Sequence, residues 1–187
     1  MKNYILSLII IMLLVSISTC FAEENTDIKN ASAENITINY PNSWDTAISK
    51  ANSTLLSVAD PNSVNLNTGL AETVVTIQTL VKGEYDTTGT LYESNNEQLF
   101  NNAAYHLVSE SNITLNDFEY VREVNYTVDY NDIVKKRRTL WVGTEDIVYI
   151  ITCSAREDKF DNETENFSLV LNSFNVTNNA NITNSTG

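Results

Sequence analysis

The sequence is poor in the residues from which catalytic and metal-binding sites are usually built. Its 187 residues include one histidine, two cysteines, two prolines and five glycines. A single histidine excludes most triads of nucleophile, histidine and acid, and the sequence contains neither a zinc ligand set nor a glycine-rich phosphate-binding loop. We therefore expect a protein that is not an enzyme and that uses no cofactor and no metal ion.

Positive charge is also scarce. The chain has 11 lysines and arginines against 24 aspartates and glutamates, which gives a formal net charge of −13. A protein with this balance is repelled by nucleic acids and by anionic lipid headgroups, so no nucleic-acid partner is expected. The length suits one domain with a single substantial core.

The longest apolar run lies near the N-terminus, between Lys2 and Glu23. This layout is typical of a secretory signal peptide over residues 1–22, with cleavage after Ala22. The segment is also just long enough to act as an uncleaved membrane anchor across ~30 Å of hydrocarbon. Lipidation of Cys20 is a third alternative. Each predicts an extracytoplasmic protein, secreted or anchored to the outer face of the cytoplasmic membrane.

The remainder of the chain divides into three parts. Residues 23–34 are polar and aperiodic, which predicts a spacer. Residues 35–176 carry the periodic patterns of one folded domain, and residues 177–187 form a low-complexity polar tail that is predicted to be disordered. Cys153 lies in an apolar stretch of the domain, and we interpret it as a buried structural thiol rather than a nucleophile.

Side-chain periodicity predicts the elements of the domain. Strands are expected at 36–40, 55–59 and 72–80, followed by a three-stranded antiparallel meander at 118–130, 134–142 and 147–155. Helical spacing predicts one helix over 99–108, with a capping box at 94–97, and a last helix over 166–174. His106 is interpreted as a border residue of the first helix rather than a metal ligand.

The order of these patterns is informative. A strand ends at Tyr40-Pro41 and is followed by Trp44, another ends at Asp60-Pro61, and a helix, a long meander and a final helix ending in Phe174 follow. In this order and spacing the chain, over about 36–176, resembles the PsbP-like family of small secreted α/β proteins.

The resemblance implies a single-domain α/β/α sandwich in which a central antiparallel sheet is flanked by helices. It also implies a role in binding or assembly, because the family is known for such roles rather than for a shared catalytic motif. Plant photosystem members assist a manganese and calcium centre. No residue set in this sequence corresponds to that metal role.

The candidate partner-binding residues form one basic run: Lys135, Lys136, Arg137 and Arg138. Because neighbouring side chains of a strand point to opposite faces, the run makes two pairs rather than one patch. One interpretation is solvated strand charge that pairs with Glu119, Glu123 or Asp129 on the next strand. The other is a surface for an anionic partner. The acidic stretch 157–165 lacks the spacing of a calcium loop and is interpreted as helix capping.

Asn-x-Ser/Thr sequons occur about twice as often as random placement of the 26 Asn and 37 Ser and Thr residues gives. This excess makes N-glycosylation a hypothesis for an exported chain. The ten candidate positions are Asn30, Asn35, Asn52, Asn112, Asn125, Asn162, Asn166, Asn175, Asn181 and Asn184.

The N-terminal targeting segment and the family resemblance together predict an exported, membrane-associated or cell-surface binding module. It would serve as an accessory or assembly factor for an envelope component. The expected partner is an envelope or surface protein, with contact to the membrane through the N-terminal segment if that segment is uncleaved. The alternatives are a structural, glycosylated surface module and, less favoured, a hydrolase that uses a pair of carboxylates.

Overall fold

The computed structural model describes residues 28–49, 53–130 and 133–177. The helices are α1 (Thr88–Phe100), α2 (Glu157–Phe160) and α3 (Thr164–Ser173), with short 3-10 turns at Pro61–Ser63 and Asp161–Glu163. The strands are β1 (Ile28–Ala33), β2 (Ile36–Pro41), β3 (Asp45–Thr46), β4 (Thr54–Ala59), β5 (Val64–Asn65), β6 (Leu70–Ala71), β7 (Val74–Val81), β8 (Tyr105–Asn112), β9 (Tyr120–Tyr130), β10 (Ile133–Gly143), β11 (Ile147–Arg156) and β12 (Asn175–Val176).

A seven-stranded antiparallel sheet forms the centre of the domain, in the order β3-β4-β7-β11-β10-β9-β8. Its middle is the predicted meander, in which β9, β10 and β11 pair in sequence order and β7 joins the outer side of β11. The edge strand β8 carries a register irregularity between Leu107 and Ser109, and such bulges discourage pairing with other chains.

A second, three-stranded sheet in the order β1-β2-β12 lies beside the first. In β2, Ile36, Ile38 and Tyr40 are buried, and the strand ends at Pro41, as the alternation and the proline predict. Residues 28–33 lie in β1 and pair with β2 rather than forming part of a spacer. The pattern of β1 is polar because Ala31 alone of its six residues is buried.

One face of the large sheet, which we call the α3 face, carries the main apolar core. Phe167, Val170 and Leu171 of α3 pack there against β2 and against the central strands. Trp44 is 1% exposed and meets the ring of Phe167 edge-on, with centroids 6.0 Å apart. The predicted final helix is therefore confirmed, and Trp44 lies in the core beneath it.

The opposite face, which we call the α1 face, is covered by α1 over only part of its width. Tyr92 packs edge-on against Trp141 with ring centroids 5.6 Å apart, and Phe100 packs against Tyr126 at 5.8 Å. At the start of α1, a Cβ atom on Gly143 would clash with the side chain of Thr88, so the close approach of helix to strand requires glycine there.

The predicted first helix is wrong in position. The helix begins after the capping residue Thr87, whose hydroxyl accepts the amide of Thr90, and it ends at Phe100. The following apolar residues do not continue it, because 105–112 pair with β9 as an edge strand. Leu107 and Val108 are 50% and 60% exposed, so the apparent helical stripe combined residues of two separate elements.

The mostly antiparallel central sheet is as predicted, but the architecture is α+β, and the predicted α/β/α sandwich describes it only loosely. On the α3 face the outer layer is shared between α3 and a small sheet, and on the α1 face it is incomplete. The predicted signal peptide or anchor at 1–22 and the tail beyond Thr177 lie outside the described residues. No helix among the described residues is both long and apolar enough to cross a membrane.

Candidate functional site: a polar groove on the α1 face

The basic run lies in β10 and is divided between the two faces of the sheet. On the α3 face, Lys136 Nζ is 2.9 Å from Asp161 Oδ1 and 5.0 Å from the centre of the Phe160 ring. Arg138 donates through Nε and Nη2 to Glu123 Oε2 at 2.9 and 2.7 Å. These two cations therefore have partners within the domain.

The pairing predicted for the run holds only in part. Of the three acidic residues expected as its partners, Glu123 is the one that pairs with it. Asp129 Oδ2 instead lies 3.1 Å from His106 Nε2, and Glu119 lines a cleft at the end of the sheet. Lys136 pairs with Asp161, which follows α2 and is distant in sequence.

Lys135 and Arg137 lie on the α1 face, and within the described chain neither forms an ion pair. The guanidinium carbon of Arg137 is 6.0 Å from the centre of the Tyr126 ring, and its Nε is buried without a hydrogen-bond partner. Burial lowers the pKa of Lys135; the charge of Arg137 acts in the same direction, and Glu72 opposes it. Both cations are therefore partly desolvated and lack an ion-pair partner among the described residues.

These two residues line a groove of about 360 Å³ between α1 and the exposed half of the α1 face. Asn95, Asn96 and Leu99 of α1 form one wall, and strands β4, β7, β11, β10 and β9 form the floor. The volume lies near the lower end of the roughly 300–1,000 Å³ typical of small-molecule sites.

A hydrogen-bond network holds α1 in place beside the groove. Tyr92 donates its hydroxyl to Glu110 Oε2 at 2.6 Å, and Arg122 Nη2 lies 3.1 Å from Glu110 Oε1. Burial, followed by the hydrogen bond to Glu110, raises the pKa of Tyr92 to about 12. The tyrosine therefore stays a donor at physiological pH, and α1 is tied to β8 and β9.

A row of hydroxyl side chains crosses four adjacent strands on the α1 face, and three of its members, Thr76, Thr152 and Thr139, line the floor of the groove. Ser57 pairs with Thr76, Thr76 with Thr152, and Thr152 with Thr139. The hydroxyls of Thr139 and Thr152 are 3.1 Å apart. Among the described residues, the buried hydroxyl of Ser57 has no hydrogen-bond partner, and the half-buried hydroxyl of Thr76 makes no hydrogen bond. The row is thus only partly satisfied by the protein.

Unsatisfied polar atoms are costly in a protein interior, at about 1–3 kcal/mol each. Three of the buried unpartnered atoms lie in or beside this groove: Ser57 Oγ, Asn96 Oδ1 and Arg137 Nε. A sheet face that needed only to pack would carry apolar side chains here, as the α3 face does. The groove is therefore suited to a ligand that brings polar partners.

The chemistry of the lining favours binding over catalysis. Cations, hydroxyls and amides line the groove, and no aspartate, glutamate, histidine or cysteine is among its described residues. Such a site can hold an anionic or hydrogen-bonding group, but it offers no carboxylate to act as a general acid or base.

A larger cleft of about 920 Å³ lies at the end of the sheet, where β7, β9 and β11 meet the loop regions. Acidic side chains dominate it, including Asp117, Glu119, Glu145 and Asp146. None of the described atoms that are buried and unpartnered belongs to its lining. Its size alone does not make it a binding site.

Two residues singled out by the sequence lie away from the groove. Cys153 is free and completely buried on the α3 face, where burial raises its pKa to about 12, and the interpretation as a structural thiol is confirmed. His106 lies exposed on β8 rather than on a helix border. Within the described residues, no group of three or more His, Cys, Asp or Glu side chains is arranged to hold a metal ion.

The sequons fall into three groups. Asn30, Asn112, Asn162 and Asn175 are exposed. Asn35, Asn125 and Asn166 are half-buried, and their Nδ2 atoms donate to Tyr149, Glu123 and Glu163, respectively. Asn52, Asn181 and Asn184 lie outside the described residues. The exposed group offers the acceptor atoms that glycosylation requires.

Sequence reasoning located the cations but missed the hydroxyl row. Threonine is common in strands, so Thr76, Thr139 and Thr152 were indistinguishable from ordinary strand residues. One signal was present. In the two buried central strands, Thr76 and Gln78, and Thr152 and Ser154, make one face polar where a fully covered face is expected to be apolar.

Comparison with solved structures identifies the fold. Over 86% of this chain and 98% of the other, the structure matches cyanobacterial PsbP (CyanoP) from Synechocystis sp. PCC 6803, with a TM-score of 0.58 and 14% identity. The chain has the PsbP-like fold. It also matches LpqN of Mycobacterium tuberculosis, described as involved in cell envelope biogenesis, with a TM-score of 0.58, 12% identity, and coverage of 81% of this chain and 92% of LpqN.

At these identities the likeness concerns the PsbP-like fold alone. No protein-family model and no curated protein matches the chain. The prediction of a PsbP-like protein from the order of Tyr40-Pro41, Trp44 and the later elements is nevertheless confirmed at the level of the fold.

Proposed function

We propose that this PsbP-like domain is an exported, non-enzymatic binding module of the cell envelope, acting as an accessory or assembly factor. It holds its partner through an anionic group seated between Lys135 and Arg137. One observation carries the proposal: in a chain of net charge −13, these two cations line a groove without ion-pair partners in the described chain, whereas their neighbours Lys136 and Arg138 are paired.

Electrostatics supports an anionic group at this position. An anion beside a buried or half-buried cation stabilises it. The attraction between the two charges is stronger there than at an open surface, because less water screens it. Acidic residues elsewhere on the chain repel anions, so the groove is a localised exception. Binding through it should weaken as salt concentration rises.

The non-enzymatic role is supported by the lining, because the described side chains of the groove include no aspartate, glutamate, histidine or cysteine. The envelope location is supported by the apolar N-terminal segment of the sequence. The likeness in fold to LpqN, described as involved in cell envelope biogenesis, is consistent with it.

A second candidate is a glycosylated structural module of the cell surface. It is favoured by the four exposed sequons at Asn30, Asn112, Asn162 and Asn175. This function would need no groove, so loss of the cations would leave it unchanged.

The test is in-cell crosslinking followed by mass spectrometry on the wild-type chain and on the double variant Lys135→Gln/Arg137→Gln. The control is Arg156→Gln/Lys159→Gln, which removes the same charge from two exposed residues elsewhere. We expect the groove variant to lose at least ten-fold of one envelope partner and the control to keep it. Retention of the same partner at wild-type yield by the groove variant would overturn the proposal.

A further inference from the structure

We propose that the ligand of the groove is an acidic saccharide, such as a uronate-containing glycan of the envelope. The inference rests on the proposed function of the groove and names the chemical class of its ligand. It follows from how the cations are combined with neutral hydrogen-bonding groups and from the position of the groove on the sheet.

The neutral part of the lining matches a polyol. Hydroxyl and amide side chains make up most of the polar floor and wall: Thr54, Thr76, Thr139, Thr152, Ser154, Gln78, Asn95 and Asn96. A serine or threonine hydroxyl both donates and accepts, and so does each hydroxyl of a sugar. Asn96 Oδ1 is buried and unpartnered, so it lacks the donor that a sugar hydroxyl supplies.

The cations and the hydroxyls are close enough for one ligand to reach both. Arg137 and Thr139 lie on the same face of β10, two residues apart, which corresponds to about 7 Å along a strand. Across the sheet, Arg137 lies opposite Ser154, next to Thr152 on the same face. A sugar ring that carries a carboxylate spans this separation, whereas a free phosphate at the cations would leave the hydroxyl row unpaired.

An acidic peptide fits the groove less well. Extended peptides gain most of their affinity by adding to the free edge of a sheet. The floor of this groove is the face of β7, β11 and β10, which are interior strands with neighbours on both sides. Their backbone groups are already paired, so a peptide backbone would find few partners here.

The groove also has an apolar side, as a sugar ring does. Leu99 and Ile150 are partly buried on its wall and floor and pack onto the cluster around Trp141. A pyranose presents C–H groups on its faces and hydroxyls at its edges, so it can contact this apolar strip while its hydroxyls meet the row.

The experiment is titration calorimetry on the full chain purified in detergent. The probes are a galacturonate oligosaccharide, a neutral galactose oligosaccharide of equal length and a poly-glutamate peptide of equal charge. We expect the galacturonate probe to bind at least ten-fold more tightly than either of the others. Binding should weaken at least ten-fold in Lys135→Gln/Arg137→Gln.

A second variant separates a saccharide from a simple anion. Thr76→Val/Ser154→Ala removes hydroxyls that make no hydrogen bond within the described residues, so folding is preserved. This double variant should bind the galacturonate probe at least five-fold more weakly than the wild type does. The control Thr79→Val, on the other face of β7, should not.

Two results would overturn the saccharide inference. In the first, poly-glutamate binds as tightly as galacturonate, and its binding is unchanged in Thr76→Val/Ser154→Ala. The groove is then an anion site for peptides, and the proposed function still holds. In the second, none of the probes binds, and the assignment of an acidic saccharide as the ligand is wrong. The crosslinking of Lys135→Gln/Arg137→Gln then decides separately whether the groove binds a partner at all.

Discussion

The two faces of one sheet differ in how completely they are closed. The α3 face is sealed by Trp44, Phe167 and Phe174, which are at most 1% exposed. The α1 face is sealed only around Trp141 and opens into a groove with hydroxyls and two cations that form no ion pair within the described chain. The same strands therefore supply stability on one face and a candidate binding surface on the other.

The difference is clearest in β10, where consecutive arginines have opposite roles. Arg138 is held by Glu123, while the Nε of Arg137 has no hydrogen-bond partner in the part of the chain that the structure describes. Native proteins satisfy the great majority of buried polar groups, so an imbalance on one face only is informative. It indicates that the α1 face retains polarity at some cost in stability. Four predictions sharpen this comparison.

The largest effect is expected on the α3 face. Phe167→Ala removes a ring that contacts Trp44 and Phe160, and truncation of a buried phenylalanine costs about 3–5 kcal/mol. Urea unfolding followed by circular dichroism should show this loss. Leu99→Ala, on the partly open wall of the groove, should cost clearly less. Equal losses at the two positions would contradict the contrast between the faces.

The arginine pair should give opposite results. Arg138→Gln leaves Glu123 Oε2 without its charged donor and should lower the free energy of unfolding by about 1.5–3 kcal/mol. Arg137→Gln removes a cation without an ion pair and should change it by less than about 0.5 kcal/mol. The measurement is again urea unfolding. Equal destabilisation by both substitutions would show that Arg137 is structural.

Two substitutions in the hydroxyl row should change the stability of the domain in opposite directions. Thr139→Val breaks the 3.1 Å contact with Thr152 and should cost about 1 kcal/mol. Ser57→Ala removes a buried hydroxyl without a partner and should stabilise the domain by up to about 1 kcal/mol. Thermal and urea unfolding of both variants test this pair. A loss of stability in Ser57→Ala would mean that its hydroxyl is satisfied.

The smallest effect is a pH dependence at Lys135. Because burial lowers its pKa in the folded state, the unfolded chain binds more protons between that pKa and the unfolded value of about 10.4. The stability of the wild type should therefore rise with pH through this window, as the charge is lost. Lys135→Met should be more stable than the wild type at pH 7, and the gap should narrow towards pH 10.

Lys159→Met, at an exposed lysine of α2, controls for the loss of one positive charge. Urea unfolding at several pH values gives the comparison. If the gap for Lys135→Met widens as pH rises, the sign of the pKa shift is wrong.

Much of the fold was predictable because its signals are local. Three signals each act within a few residues: the alternation in β2, the prolines at the end of β2 and just after β4, and the long period-two pattern of β9. The helix predicted over 99–108 was wrong because that prediction also relied on local spacing alone. The apolar spacing suited a helix, but pairing with β9 across the sheet decided that 105–112 form a strand.

Only the charged residues of the candidate site could be predicted from the sequence. Lys135 to Arg138 stand out in an acidic sequence, and strand alternation divides them correctly into two pairs. Which pair is neutralised depends on Asp161 and Glu123, brought close by the packing of α2 and by the pairing of β9 with β10.

By itself, then, the sequence determined the last helix, the location of positive charge and six of the strands, because each depends on neighbouring residues; these strands are β2, β4, β7, β9, β10 and β11. Only the tertiary structure decided that Ser57, Thr76, Thr152 and Thr139 form one row and that α1 leaves a groove over part of this row. The physical reason is register: these hydroxyls come from four strands far apart in the chain, and hydrogen bonding between the strands alone places them side by side.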